Sequence, residues 1–161
     1  GKHEPVMIIS ADKDFIQLHK YDNVKQYSPI TRKMVTHEDP IKYLREHIFR
    51  GDSSDGVPNV LSSDDTFIDE DKKQTPLSKK KVELWIENYN NLEEVMPSQE
   101  YRNFQRNNKV INLDEIPEEV TDKIMNKYNN IKPTPNMKAL NYLIVNRLNM
   151  LTEQVGDFHR K

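Results

Sequence analysis

Gly51-Asp52-Ser53-Ser54-Asp55-Gly56 sets two carboxylates three residues apart between two of the chain's four glycines. On spacing alone the stretch is first of all a turn, because Asp, Ser and Gly all favour turns. A calcium-binding EF-hand is excluded: counting from Asp52, position 6 is Val57 and position 12 is Ser63, where that loop needs Gly and Glu. A second pair, Asp12 and Asp14, follows the apolar run Val6-Met7-Ile8-Ile9. A run without polar alternation predicts a strand buried on both faces of a parallel sheet. Ligands of such sheets bind beyond the carboxyl ends of the strands, and Asp12 falls there. Asp12 fits equally as the cap of a short helix, Lys13–His19, with Phe15, Ile16 and Leu18 inward. Oxygen-only ligands suit Mg²⁺ or Mn²⁺. Two such ions roughly 4 Å apart activate a water and stabilise a leaving oxygen in phosphoryl transfer. Crowded carboxylates are costly without a cation between them.

Working outward, Asn23–Ser28 and Thr31–Thr36 predict a hairpin. Asp39-Pro40 is a helix start, an Asp cap followed by Pro at the first position. Ile41, Leu44, Ile48 and Phe49 give this helix an apolar stripe, and Gly51 ends it. Val57–Val60 is expected to be extended, and residues 62–75 to be a mobile acidic loop. Thr75-Pro76 predicts the next helix, with Lys79, Lys80 and Lys81 in its first turn and Val82, Trp85, Ile86 and Tyr89 in the core. Pro97-Ser98 predicts a helix to about Asn107, and Val110–Leu113 an extended segment. Pro117 predicts a helix to about Asn130 with Val120, Ile124 and Tyr128 inward. After a linker at Pro133–Asn136, Met137–Leu151 reads as one helix, with a tail from Gly156. The five histidines show no ligand spacing and read as surface or structural residues.

Composition adds bounds. At 161 residues the chain is one domain, or one domain with appendages. Its 35% apolar content lies below the usual ~45–50% and allows only a small core. A net charge of −2 carries no global signal for nucleic acid, so any such signal is local. Without cysteine, disulfides and thiolate metal sites are excluded, and a reducing cytoplasm fits. No apolar run reaches the ~18 residues of a membrane span. Gly1 stands where a Met is usual, and a strand without partners follows at once; the chain reads as a fragment.

Taken together, Ile8–Leu18 resembles the "ADKD..QL" segment of the 5′-nuclease superfamily. That family holds the flap endonucleases and the 5′-exonuclease domains of bacterial DNA polymerase I. Phe49–Pro58 is similar to its "GDSSDNIPG" segment, and the two occur in the family's order and separation. Asp14–Pro29 resembles the T-even phage ribonuclease H branch nearly throughout. The resemblance implies the C-terminal part of a PIN-like, parallel-sheet α/β nuclease core over 1–38. A modified helix-three-turn-helix over 39–96, with a flexible acidic loop at 61–75, and a helical region over 97–161 would follow. It implies that Asp12, Asp14, Asp52 and Asp55 are ligands of two Mg²⁺ ions, with Mn²⁺ as an alternative, and that Asp12, Asp14 and Asp55 are catalytic. The family's other acidic ligands lie in an N-terminal part with no counterpart here, so the chain alone is expected to be inactive. The Gly-Ile-Gly turn that holds K⁺ in the family is missing, and the resemblance does not carry K⁺ over. Lys79, Lys80 and Lys81 would grip DNA phosphates, a solvated lysine run being the alternative. Implied partners are flap or nicked duplex DNA, RNA–DNA hybrid and a single-stranded-DNA-binding protein, in a host cytoplasm. The alternative function is a non-catalytic module that docks DNA or protein.

Overall fold

The computed structural model describes residues 4–131 and 136–158. The chain divides into two units, Gly1–Ile116 and Pro117–Lys161, a boundary that coincides with neither of those expected at 38/39 and 96/97.

In the first unit β1 (Val6–Ile9) runs parallel to β2 (Val24–Ser28), with Val6 opposite Val24 and Ile9 opposite Tyr27. β3 (Lys33–Val35) turns back antiparallel to β2 through Arg32, whose φ of 56° is left-handed. The parallel pair is joined by a crossover holding the 3₁₀ helix Lys13–Lys20. Asp12 caps this helix, as expected, its carboxylate accepting the Asp14 N–H at 2.9 Å. Ile16 is buried in it, whereas Phe15 and Leu18 are half-buried. Gln26 Nε2 donates to the carbonyls of Ser10 (2.9 Å) and Asp12 (2.7 Å), so β2 fixes the chain where it leaves β1.

One expectation fails at β1. Met7 and Ile9, expected to be buried on both sides, are 50% and 63% exposed. β1 is the edge of a three-stranded sheet, and the crossover helix packs on β2 and on the following helix, so no layer among the described residues covers β1.

α1 (Pro40–Arg50) starts at Asp39, which accepts the Lys42 N–H at 2.8 Å. Leu44, Ile48 and Phe49 are buried; Ile41 of the expected stripe is exposed. α2 (Lys79–Glu87) is capped by Ser78, three residues later than Thr75-Pro76 would start it. The reason is that Gln74 and Thr75 hold the preceding loop: Gln74 Oε1 accepts the Asn59 N–H and the Thr75 N–H donates to Ser62 Oγ. α3 (Leu92–Val95) is a single turn. α4 (Ser98–Ile111) runs through Val110 and Ile111, which were expected to be extended. Phe104, Asn107 and Ile111 share one buried face, and burying Ile111 on it extends the helix. Trp85 and Phe49 pack with ring centroids 5.2 Å apart at the centre of the core.

α4 bonds to the first residues of the segment expected to be mobile and to the residues before it. Asn103 Nδ2 donates to the carbonyls of Val60 (3.0 Å) and Ser62 (3.1 Å), and Asn107 Nδ2 to those of Ile48 (2.8 Å) and Pro58 (2.9 Å). Arg106 reaches Pro58 O at 2.9 Å. Asp64 lies between Arg102 and Arg106 and bonds to both.

In the second unit α5 (Glu118–Asn129) leaves Val120, Ile124 and Tyr128 exposed rather than inward. α6 (Asn136–Val145) and α7 (Asn149–Glu153) replace the expected single helix. Arg147 is left-handed, φ 55°, and the N–H groups of Leu148 and Arg147 bond back to Leu143 O and Ile144 O, a Schellman stop with Arg in glycine's usual place. The break turns Leu143 inward, whereas Ile144 is exposed. Most of the expected linker, residues 133–135, lies outside the described residues. Among those described, no helix is long and apolar enough to cross a membrane.

Candidate metal centre

The centre forms where β1's exit meets the C-terminal end of α1. Gly51 ends α1 with φ 68° and ψ −174°, a backbone open essentially to glycine alone. A Cβ at this position would lie 2.3 Å from Val57 O. That close approach closes the loop: Asp52 and Val57 exchange both backbone hydrogen bonds, at 2.8 and 2.7 Å. Gly56, φ 73°, turns the chain back. Inside the loop, Asp52 Oδ1 accepts the N–H groups of Ser54 (2.8 Å) and Asp55 (3.3 Å). So Asp52 is a turn residue through one oxygen, and its other oxygen faces out of the turn.

Asp52 Oδ2 and Asp14 Oδ1 approach a common neighbour. His47 Nε2, one turn before the end of α1, lies 3.2 Å from Asp14 Oδ1 and 3.4 Å from Asp52 Oδ2. These three ligand atoms fall within 4.8 Å of one another. Asp12 and Asp55 are exposed at the margin. Their charges still reach the centre. Burial pushes the Asp14 carboxyl above its ordinary range; His47 opposes this, while Asp12, Asp52 and Asp55 add to it. The hydrogen bond from the Ser54 hydroxyl holds Asp52 below the ordinary range. Tyr43 is raised by burial and then by Asp14, Asp52 and Asp12, which places its phenol in the same negative field.

Of the four sequence-predicted aspartates the structure brings Asp14 and Asp52 together, while Asp12 and Asp55 are exposed and outside that cluster. The donor set suits a divalent cation: oxygens that repel one another, beside a buried imidazole nitrogen without a hydrogen-bond partner among the described residues. His47, read from sequence as a surface or structural residue, stands beside both carboxylates, and neither it nor Tyr43 was singled out for the site. Its neighbours come from the β1 exit and the glycine loop, so no spacing within one element announces it. The one sequence signal is position: His47 lies four residues before Gly51, whose N–H bonds to its carbonyl at 2.8 Å.

The lysines lie at the N-terminus of α2, as expected, but in different states. Lys81 is bonded to Glu100 at 2.9 Å and sits over the Trp85 ring at 5.0 Å. Lys79 is 82% exposed beside Glu83. Lys80 makes no ion pair among the described residues.

The family model for the C-terminal part of T4 RNase H matches residues 40–158. Ribonuclease H of Enterobacteria phage T4 is 34% identical over 157 residues, covering 95% of this chain and 52% of that protein. The chain thus spans about half the length of this curated relative. The longer match takes in the Asp12 and Asp14 segment, which precedes the family model's first residue.

Proposed function

This chain belongs to the T4 RNase H C-terminal family, and from that premise we propose that it supplies the aspartates of a Mg²⁺-dependent 5′-nuclease. The proposed reaction is 5′→3′ exonuclease and flap cleavage that removes RNA primers and adjacent DNA during replication. One observation carries the proposal: Asp14 and Asp52, from two distant stretches, bring their carboxylate oxygens within 4.8 Å of each other beside His47. Divalent ions bound there would supply Lewis-acid activation of water and of the phosphoryl oxygens. Asp14 and Asp52 would hold such an ion directly, while Asp12 and Asp55, more exposed, would face the substrate side. Asp52 keeps its free oxygen aimed by anchoring the other in the loop, and the Gln26 amide holds the backbone at Asp12. Lys79 and Lys80, at a helix N-terminus whose free N–H groups favour anions, are assigned to duplex phosphates. Lys81 is held by Glu100 and contributes less. K⁺ has no part in this proposal, because the Gly-Ile-Gly turn is missing from this sequence.

The test is cleavage of a 5′-flap duplex and an RNA–DNA hybrid by the full encoded protein, with Asp12→Asn and Asp55→Asn alongside. Turnover should fall by about a hundredfold or more at saturating Mg²⁺; unchanged turnover removes the assignment. The 161 residues alone should cut little.

A second reading has its own support. Val120, Ile124 and Tyr128 form an exposed stripe on α5. This suits docking to a protein, for which a single-stranded-DNA-binding protein is proposed. Loss of pull-down by Ile124→Asp, with cleavage intact, is the expected result.

A further inference from the structure

His47 is not among the ligands assigned above. We infer that its Nε2 is itself a metal ligand, joining Asp14 Oδ1 and Asp52 Oδ2 in a mixed nitrogen–oxygen site that prefers first-row transition ions such as Mn²⁺ to Mg²⁺. The inference rests on reading this cluster as a metal centre.

Three observations support it. First, His47 Nε2 is shut off from solvent and has no hydrogen-bond partner among the described residues, although two carboxylate oxygens lie 3.2 and 3.4 Å away. An imidazole N–H engaged with either carboxylate would point along a donor–acceptor line, and neither contact has that geometry. Second, the two separations from His47 are those of ligands sharing an ion. Atoms each about 2.1 Å from one ion stand roughly 3.0–3.4 Å apart across right-angled to tetrahedral geometry. Third, the ring is positioned for this role. Tyr43 stacks on it at 5.9 Å with planes 14° apart, and the His47 side chain is only 17% exposed. Asp52 is aimed likewise, its Oδ1 engaged by Ser54 and Asp55 while Oδ2 faces His47. Imidazole suits transition ions, whereas Mg²⁺ favours oxygen and retains its waters.

The experiment is Mn²⁺ binding to the chain, followed by electron paramagnetic resonance, in the wild type, His47→Gln and Asp14→Asn. Bound Mn²⁺ should show ¹⁴N coupling in the wild type, a measurement that needs no variant. His47→Gln should remove that coupling and weaken Mn²⁺ binding by about tenfold or more. Mg²⁺ affinity, read by competition, should change less than about threefold. Wild-type Mn²⁺ without ¹⁴N coupling, or coupling that survives His47→Gln, overturns the inference. If Asp14→Asn abolishes binding while His47→Gln leaves it intact, the carboxylate centre stands and the histidine ligand falls. If both variants bind as the wild type does, the metal centre itself falls.

Discussion

Asp14 and Asp64 are partly exposed carboxylates in the same unit, yet their surroundings push them in opposite directions. Asp14 sits among three other aspartates with one histidine, and its carboxyl is raised, chiefly by burial. Asp64 sits between two arginines and is held down to about 2, chiefly by its hydrogen bond to Arg102. The segments they serve meet at Val57-Pro58. Before that point the chain crowds like charges; after it, the carbonyls of Pro58, Val60 and Ser62 accept hydrogen bonds from side chains of α4. An uncompensated cluster is an unfavourable arrangement unless a cation joins it, whereas a compensated one stabilises the fold by itself. The contrast separates a site from a clamp without reference to any relative.

The largest expected effect breaks the first region by its backbone. Gly51→Ala places a Cβ 2.3 Å from Val57 O at a φ of 68°. Neither atom belongs to a flexible side chain, so the α1 end or the loop must shift. A loss of about 3 kcal/mol or more is expected in urea unfolding. Gly56→Ala, also at positive φ but facing open space, should cost about 1 kcal/mol. Equal costs would mean that φ alone, not the Gly51–Val57 approach, shapes the loop.

Next comes the clamp. Asn107 is fully buried and donates to Ile48 O and Pro58 O. Asn107→Ala leaves both carbonyls without that donor and opens a small void, for an expected loss of about 2–3 kcal/mol. If the two regions are independent, Mn²⁺ affinity at the metal centre stays unchanged in the folded variant. If it falls as well, the clamp is part of the site's support.

How much of this was legible in the sequence follows the same division. The carboxylate pairs, the Asp39 cap, the helix stop at Gly51 and the lysines at a helix start are local signals, and each stands where it was expected. The clamp was invisible. Asp64 looked like one more charge in an acidic run, because its partners Arg102 and Arg106 lie about forty residues on, at 3.6-residue spacing along a helix with no obvious polar role. His47 was missed for a related reason: its partners are 33 residues before it and 5 after it. Helix lengths failed where burial overrode local preference, at Ile111, or where a non-glycine stop intervened, at Arg147. The uncovered β1 illustrates the converse: its apolar run predicts burial, yet Met7 and Ile9 are exposed because no layer among the described residues covers them.

A smaller effect sharpens the charge argument at the metal centre. Asp14→Asn removes one of four like charges, so the metal-free chain should be no less stable and should gain up to about 1 kcal/mol. Millimolar Mn²⁺ should raise the melting temperature of the wild type and not that of the variant, since only the former binds it. A clear loss of stability in metal-free Asp14→Asn would mean that the ion pair with His47 outweighs the repulsion, and the contrast with Asp64 would fail at its first term.

The smallest effect tests the second term. Asp64 is about half exposed, so its pairing with Arg102 and Arg106 is screened, and Asp64→Asn should cost only about 0.5–1 kcal/mol at pH 7. The pH dependence fixes the sign. The folded-state pKa, about 2, lies below the unfolded value of about 3.9. The contribution is therefore fully present above the unfolded pKa and is lost as pH falls through the folded one. Urea unfolding of the wild type and Asp64→Asn at pH 7, 4 and 2 should show a gap that persists at 7, narrows below 4 and nearly closes by 2. A gap that widens toward acid would place Asp64 with Asp14, among carboxylates that the fold strains, and would leave α4 holding the segment through Asn103 and Asn107 alone.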